Sequence, residues 1–246
     1  MTGDVRGRPF RLVVLADSTA FTDATGPQLP DHPALYPNRV AAGLQAAWDR
    51  EVVTTVIARP GTTVRELERT LFKDRHVQFD VVAPADAVIV GVGSFDHAPA
   101  GVPPAVDAVL PYIRSARRRR RARMLAHRAY PAIVRARGGY TTRTPWAQFA
   151  LRYGRTLDQV RGLTQGRAHY VALGPTSHDG EYYGRRHPGH VVAEQAQLDL
   201  ARTKGFTPVA TWPRVVDHAA ELNPDGIHWP AAAHAAVADA VLDTLR

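Results

Sequence analysis

Five short runs rich in Val, Ile, Leu and Thr recur along the chain, and helical patterns separate them. The runs are RLVVLA (11–16), VVTTVIA (52–58), DAVIVGVG (86–93), HYVALG (169–174) and TPVATW (207–212). Helical spacing marks 38–48, 63–72, roughly 103–128, 146–164, 189–204, 213–221 and 231–245. Parallel strands need crossovers of about a dozen residues, which helices supply. The alternation therefore predicts a parallel sheet with helices on both faces. DAVIVGVG, nearly continuous in Val and Ile, reads as a strand buried on both sides. No composition break or internal repeat marks a linker, so residues 1–246 read as one three-layer, flavodoxin-like α/β domain with a five-stranded sheet. The 103–165 segment exceeds a simple crossover and predicts a helical insertion beside the carboxyl edge of the sheet.

Hydrophobic residues make up 45% of the chain, enough for a sizeable core. No apolar run approaches the ~20 residues of a membrane span. The apolar run near the N-terminus ends at Asp17, too soon for a signal peptide, so a cytoplasmic protein is expected. The absence of cysteine excludes disulfides, thiolate metal sites and a cysteine nucleophile. Net charge is +8, and RSARRRRRAR (114–123) concentrates much of the excess. Such a field favours anionic partners without choosing among them.

Ligands of open parallel sheets bind outside the carboxyl ends of the strands. Asp17 and Ser18 follow the first run, Gly61 follows the second, and GVGSFDH (91–97) follows the third. NPDGIHWP (223–230) precedes the last helix and sets Asp225 three residues before His228 in a stretch of turn formers. A serine hydroxyl is a poor nucleophile until a base takes its proton. Histidine can do so near neutrality, and a carboxylate on its other nitrogen fixes the tautomer. Gly226 eases the turn between the pair, and Pro230 suits the start of the following helix. The simpler readings are a helix-capping Ser18 and a turn glycine at Gly61. Asp96 reads equally as a functional group or as the cap of the helix after it.

These residues resemble the blocks of the SGNH (GDSL-type) esterase and acyltransferase family across essentially the whole chain. Ala16-Asp17-Ser18 resembles the Gly-Asp-Ser block, Gly61 the second-block glycine, and Asp225-x-x-His228 the last block. The resemblance implies a catalytic Ser18, Asp225 and His228, with the N–H groups of Ser18 and Gly61 forming an oxyanion hole. It departs at the third block, where Gly93-Ser94-Phe95-Asp96 replaces Gly-x-Asn-Asp and a phenyl ring stands in place of a hydrogen-bond donor. Ser94 and Asp96 are the remaining polar groups of that block. LADSTAF, TGPQLPDHPALYPNRVA, VGVGSFDHAPAGVP and NPDGIHWPAAAHAAVA further resemble an actinobacterial branch, the diglucosylglycerate octanoyltransferases. That branch implies octanoyl-coenzyme A as co-substrate, a glucosylglycerate acceptor and a place in methylglucose lipopolysaccharide synthesis, with no bound cofactor or metal.

Other patterns carry weaker chemistry. GVGSFD lacks the third glycine of a dinucleotide fingerprint. Ser177-His178-Asp179 are adjacent, so their side chains diverge, and a polar loop is the simpler reading. His187 and His190, near Asp179 and Glu181, match no strong metal spacing. A groove near Tyr182 and Tyr183 would select acyl length.

The arginine run is commonly one solvated helix face. Arg117, Arg118, Arg119, Arg120 and Arg121 are alternatively candidates to bind coenzyme A phosphates or a glycerate carboxylate. The adjoining MLAHRAYPAIV (124–134) suits an acyl groove or a peripheral membrane contact. Aromatics are not interleaved with the arginines, so no nucleic-acid partner is expected. Acyl transfer, hydrolysis with water as acceptor, and surface binding through the arginines are the competing functions.

Overall fold

The computed structural model describes residues 8–101, 112–177, 180, 183–222 and 226–246, apart from the side chains at 123 and 127. Five parallel strands form the central sheet: β1 (Phe10–Ala16), β4 (Val52–Ala58), β5 (Ala87–Gly91), β6 (His169–Leu173) and β7 (Thr207–Val209). Their order is β4-β1-β5-β6-β7, the doubly wound arrangement expected. Pairing runs in register from Phe10 opposite Val52 to Ala16 opposite Ala58, and from Leu12 opposite Ala87 to Ala16 opposite Gly91. A two-residue hairpin, β2 (Thr22–Asp23) with β3 (Gly26–Pro27), lies outside this sheet.

Successive side chains of a strand face opposite sides, and two cores result. Leu12, Val14, Ile89 and Val171 pack against α1 (Tyr36–Trp48) and α8 (Ala231–Leu245) through Val40, Leu44, Val237 and Val241. Val13, Leu15, Val88 and Val90 pack against α2 (Val64–Lys73) and α5 (Trp146–Leu163) through Leu67, Leu71, Phe149 and Leu157. Each fully buried aliphatic side chain contributes roughly 1.5–3 kcal/mol, so the strands are held from both faces.

The long segment after β5 divides into two parts. Helix α5 is the crossover helix on the second face, packed against α2. The added part is a short α3 (Ser94–His97) and the basic α4 (Ala116–Ala136), which pack through Ala98, Tyr130, Val134 and Tyr183. Within the expected helix over 103–128, residues 103–111 lie outside the described residues, and α4 starts only at Ala116, after Ser115. It runs on to Ala136 and ends before Gly138 and Gly139, whose φ of 66° and 75° suit glycine.

Helix α6 (His190–Thr203) covers β6 and β7. The strand expected at 207–212 stops at Val209, and α7 (Trp212–Val215) follows, continued by a 3-10 turn over Val216–Glu221. Pro213 has no N–H for a ladder, and the Glu194 carboxylate accepts from Trp212 N at 3.2 Å, so the chain turns there.

Candidate active site

Ser18 leaves the carboxyl end of β1 as the first residue of a 3-10 turn. Asp17 builds that turn: its Oδ1 accepts from Thr19 N at 3.0 Å and from Thr19 Oγ1 at 2.7 Å. Asp17 N donates to Gly91 O at 3.2 Å, tying the turn to the end of β5. Burial raises the Asp17 pKa, an effect opposed by the Thr19 hydrogen bonds and the nearby His228.

His228 reaches Ser18 from the far end of the chain. Its Nε2 lies 3.0 Å from Ser18 Oγ, across 210 residues of sequence. The loop that carries it is fastened by Trp229, which is buried against Tyr36 and His234 with ring centroids 5.9 and 5.2 Å away. Ala24 N donates to Trp229 O at 2.9 Å, so the β2–β3 hairpin grips the same loop. Gly226 adopts φ 73°, the left-handed conformation its turn requires. Pro230 takes the position just before α8, in extended backbone, rather than the first helical one. Asp225 lies outside the described residues.

Gly61, at φ 66°, follows Pro60 beyond β4 and faces the same opening. Among the described residues, neither Ser18 N nor Gly61 N donates to a protein acceptor. Ser18, Gly61, Ser94, Phe95 and His228 border a cleft of about 410 Å³, with Phe21, Pro27, Pro60 and Ile227 supplying apolar wall. An apolar wall suits an acyl chain.

The third-block polar groups face inward. Ser94 Oγ accepts from Thr176 N at 3.0 Å, which engages its hydroxyl with the segment after β6. Asp96 is fully buried; its Oδ2 accepts from Val64 N at 2.8 Å and its Oδ1 from Thr144 Oγ1 at 2.7 Å. It therefore caps α2, the helix after Gly61, rather than the short helix it belongs to. Burial raises its pKa to about 6, with Asp17 and Glu66 adding to the effect and the two donors opposing it.

Phe95 lies on the cleft, and the Arg143 guanidinium sits 4.1 Å from its ring centroid. Of the five arginines singled out in α4, Arg117, Arg118, Arg120 and Arg121 are exposed, while Arg119 is half-buried and donates to Ile113 O at 3.3 Å. None of them borders the Ser18 cleft. Tyr183 is buried edge-on against Tyr130, with ring centroids 5.8 Å apart, and is not a cleft residue; Tyr182 is outside the described residues.

The remaining polar motifs divide similarly. Ser177 is buried, and His178, Asp179 and Glu181 lie outside the described residues. His187 and His190 are buried, and His190 Nε2 donates to Pro175 O at 3.0 Å. Burial pulls the His187 pKa down to about 3. Among the described residues, no cluster of three acidic, imidazole or thiol side chains is arranged to hold a metal ion. Among them, too, no helix is long and apolar enough to cross a membrane.

Two supports of the site escaped the sequence reading. The hairpin at 22–27 forms part of the cleft wall, built by Asp23, whose Oδ1 accepts from Thr25 N at 2.7 Å and Gly26 N at 3.2 Å. The Asp-Ala-Thr-Gly-Pro order was a usable signal for such a turn. Gln197, fully buried in α6, donates through Nε2 to Val92 O at 2.9 Å and Leu173 O at 3.2 Å, joining the ends of β5 and β6. A single glutamine in an amphipathic helix gives no such signal.

No protein-family model matches the chain. A diglucosylglycerate octanoyltransferase of Mycolicibacterium hassiacum is 31% identical over 248 residues, covering 97% of this chain and 96% of its own length. One from Mycobacterium tuberculosis is 30% identical, covering 98% and 94% respectively. Among solved structures, a GDSL-like lipase from Parabacteroides merdae superposes with a TM-score of 0.61 at 13% identity, covering 96% of this chain and 95% of that one. A lipase/acylhydrolase from Enterococcus faecalis gives 0.60 at 10%, covering 95% and 94%; at such identities the likeness is one of fold. Fold and full-length similarity together establish that the chain belongs to the SGNH (GDSL-type) hydrolase and acyltransferase family, as a relative of the actinobacterial diglucosylglycerate octanoyltransferases.

Proposed function

We propose that the protein transfers an octanoyl group from octanoyl-coenzyme A to a hydroxyl of a glucosylglycerate-type sugar acceptor, by way of an acyl-Ser18 intermediate. The observation that carries this reading is the 3.0 Å approach of His228 Nε2 to Ser18 Oγ at the mouth of an apolar cleft. His228 takes the Ser18 proton as Oγ attacks the thioester carbonyl. The thiolate leaves and collects that proton from the imidazolium. The acceptor hydroxyl then gives its proton to His228 and attacks the acyl ester, and Ser18 Oγ is reprotonated as it leaves. Asp225 is assigned to orient His228 and stabilise the imidazolium. The N–H groups of Ser18 and Gly61 are assigned to the developing oxyanion, where one donor is worth on the order of 3 kcal/mol.

The octanoyl donor and sugar acceptor are supported by the full-length similarity to two proteins named as diglucosylglycerate octanoyltransferases. The same similarity supports a place in methylglucose lipopolysaccharide synthesis. Hydrolysis uses the same residues with water as acceptor, and the esterase-like fold neighbours favour keeping it as the second reading.

Mass spectrometry of the protein with octanoyl-coenzyme A, with and without glucosylglycerates, separates the two. Octanoylated sugar formed faster than free octanoate is expected, with no turnover in Ser18→Ala. Free octanoate at equal rates with and without sugar would make the protein a thioesterase, and undiminished turnover in Ser18→Ala would overturn the serine mechanism.

A further inference from the structure

Two neighbouring residues of the arm leading into α5 grip two neighbouring residues after β5, and those in turn hold the loop after β4. The first link is polar. Thr144 Oγ1 donates to Asp96 Oδ1 at 2.7 Å, Thr144 N donates to Asp96 O at 2.9 Å, and Asp96 Oδ2 accepts from Val64 N at 2.8 Å. The second link is aromatic. The Arg143 guanidinium lies 4.1 Å from the Phe95 ring centroid, and the edge of that ring lies against Gly61. A methyl group added at Gly61 would stand 3.3 Å from Phe95 Cε1. Residues 143 and 144 thus reach 61 and 64 by two parallel routes through 95 and 96.

Gly61 needs outside support. It adopts φ 66°, and glycine backbone is permissive enough to swing its N–H away. The loop's own fastening is Thr62, whose N and Oγ1 both reach Arg59 O, at 3.3 and 2.9 Å. An oxyanion donor acts only when held at the right distance, and a displacement of about 1 Å can cost about 100-fold in rate.

We infer that Phe95, clamped by Arg143 and seconded by the Asp96–Thr144 link, is a positioning residue that braces Gly61 so that its N–H faces the oxyanion. The phenyl ring offers no hydrogen bond; it acts through packing. This inference deepens the acyl-transfer reading and rests on it. It also gives the segment between β5 and α5 a part in catalysis that acts through the loop carrying Gly61.

The test uses the full chain with p-nitrophenyl octanoate, which reports acylation of Ser18 whether water or sugar is the acceptor. Arg143→Ala and Phe95→Ala are each expected to lower kcat about tenfold or more with KM changed less than about twofold. Amide hydrogen exchange over residues 61–64 is expected to quicken in both. Arg143→Lys, which keeps a cation over the ring, is expected to recover part of the rate and of the protection. It also serves if the alanine variants melt early.

Unchanged kcat together with unchanged exchange would overturn the brace. So would a raised KM with intact kcat, which would assign Arg143 and Phe95 to substrate binding instead of to holding Gly61. If the wild-type protein acquires no acyl group on Ser18, the acyl-transfer reading fails separately. Exchange at 61–64 still decides whether the brace exists.

Discussion

Asp96 offers a test of the site's internal electrostatics through Asp96→Asn. In the folded protein its pKa is raised from 3.8 to about 6, chiefly by burial, with Asp17 and Glu66 adding negative charge nearby. The native state therefore holds the Asp96 proton more tightly than the unfolded chain does. Well below pH 3.8 the group is protonated in both states and costs nothing. Between 3.8 and about 6 the unfolded chain ionises while the native state keeps its proton, so stability is lost across that window and the loss is complete once the pH has passed the native pKa. The gap between 3.8 and about 6 corresponds to about 3 kcal/mol.

Asparagine reproduces the protonated acid, with one oxygen to accept from Val64 N and an N–H group to face Thr144 Oγ1, whose hydroxyl can turn to accept. Asp96→Asn should therefore match the wild type near pH 4 and exceed it by about 3 kcal/mol at pH 7. Urea unfolding of both proteins at half-unit steps from pH 4 to 7.5 measures the difference, and carboxylates remote from Asp96 cancel. Parallel stability curves across that range would refute the account of Asp96 as a buried group that ionises at a cost.

Gly61→Ala should be felt in both stability and rate. A left-handed φ of 66° costs a residue with a Cβ roughly 1–2 kcal/mol, and the new methyl would press on the Phe95 ring, so thermal denaturation should come earlier and octanoyl-ester turnover should fall. Tyr36→Phe should move stability the other way: among the described residues the Tyr36 hydroxyl is buried without a hydrogen-bond partner. Removing it is expected to stabilise the protein by about 1 kcal/mol in urea unfolding.

Much of this protein was legible from local pattern. Period-two and near-continuous apolar runs placed β1, β4, β5 and β6 to within a few residues, because which face a side chain presents depends on its neighbours in sequence. Strand ends of a parallel sheet share one edge, so Ser18, Gly61 and Phe95 were foreseeable as neighbours, and the Asp225-x-x-His228 spacing marked the loop that meets them. Only the tertiary structure decided what those neighbours do for one another. The 3.0 Å contact of His228 with Ser18 depends on Trp229 docking against Tyr36 and on a hairpin too short to have a period. Asp96 caps a helix other than its own, across 32 residues. Arg143, in a segment with no regular pattern, finds Phe95 instead of solvent. Hydrophobic periodicity is a local property, whereas the pairing of buried polar groups depends on which segments the finished fold sets side by side. The sequence therefore determined the layers and the edge where chemistry gathers, and the packed chain decided which side chains are free to act and which are bound as supports.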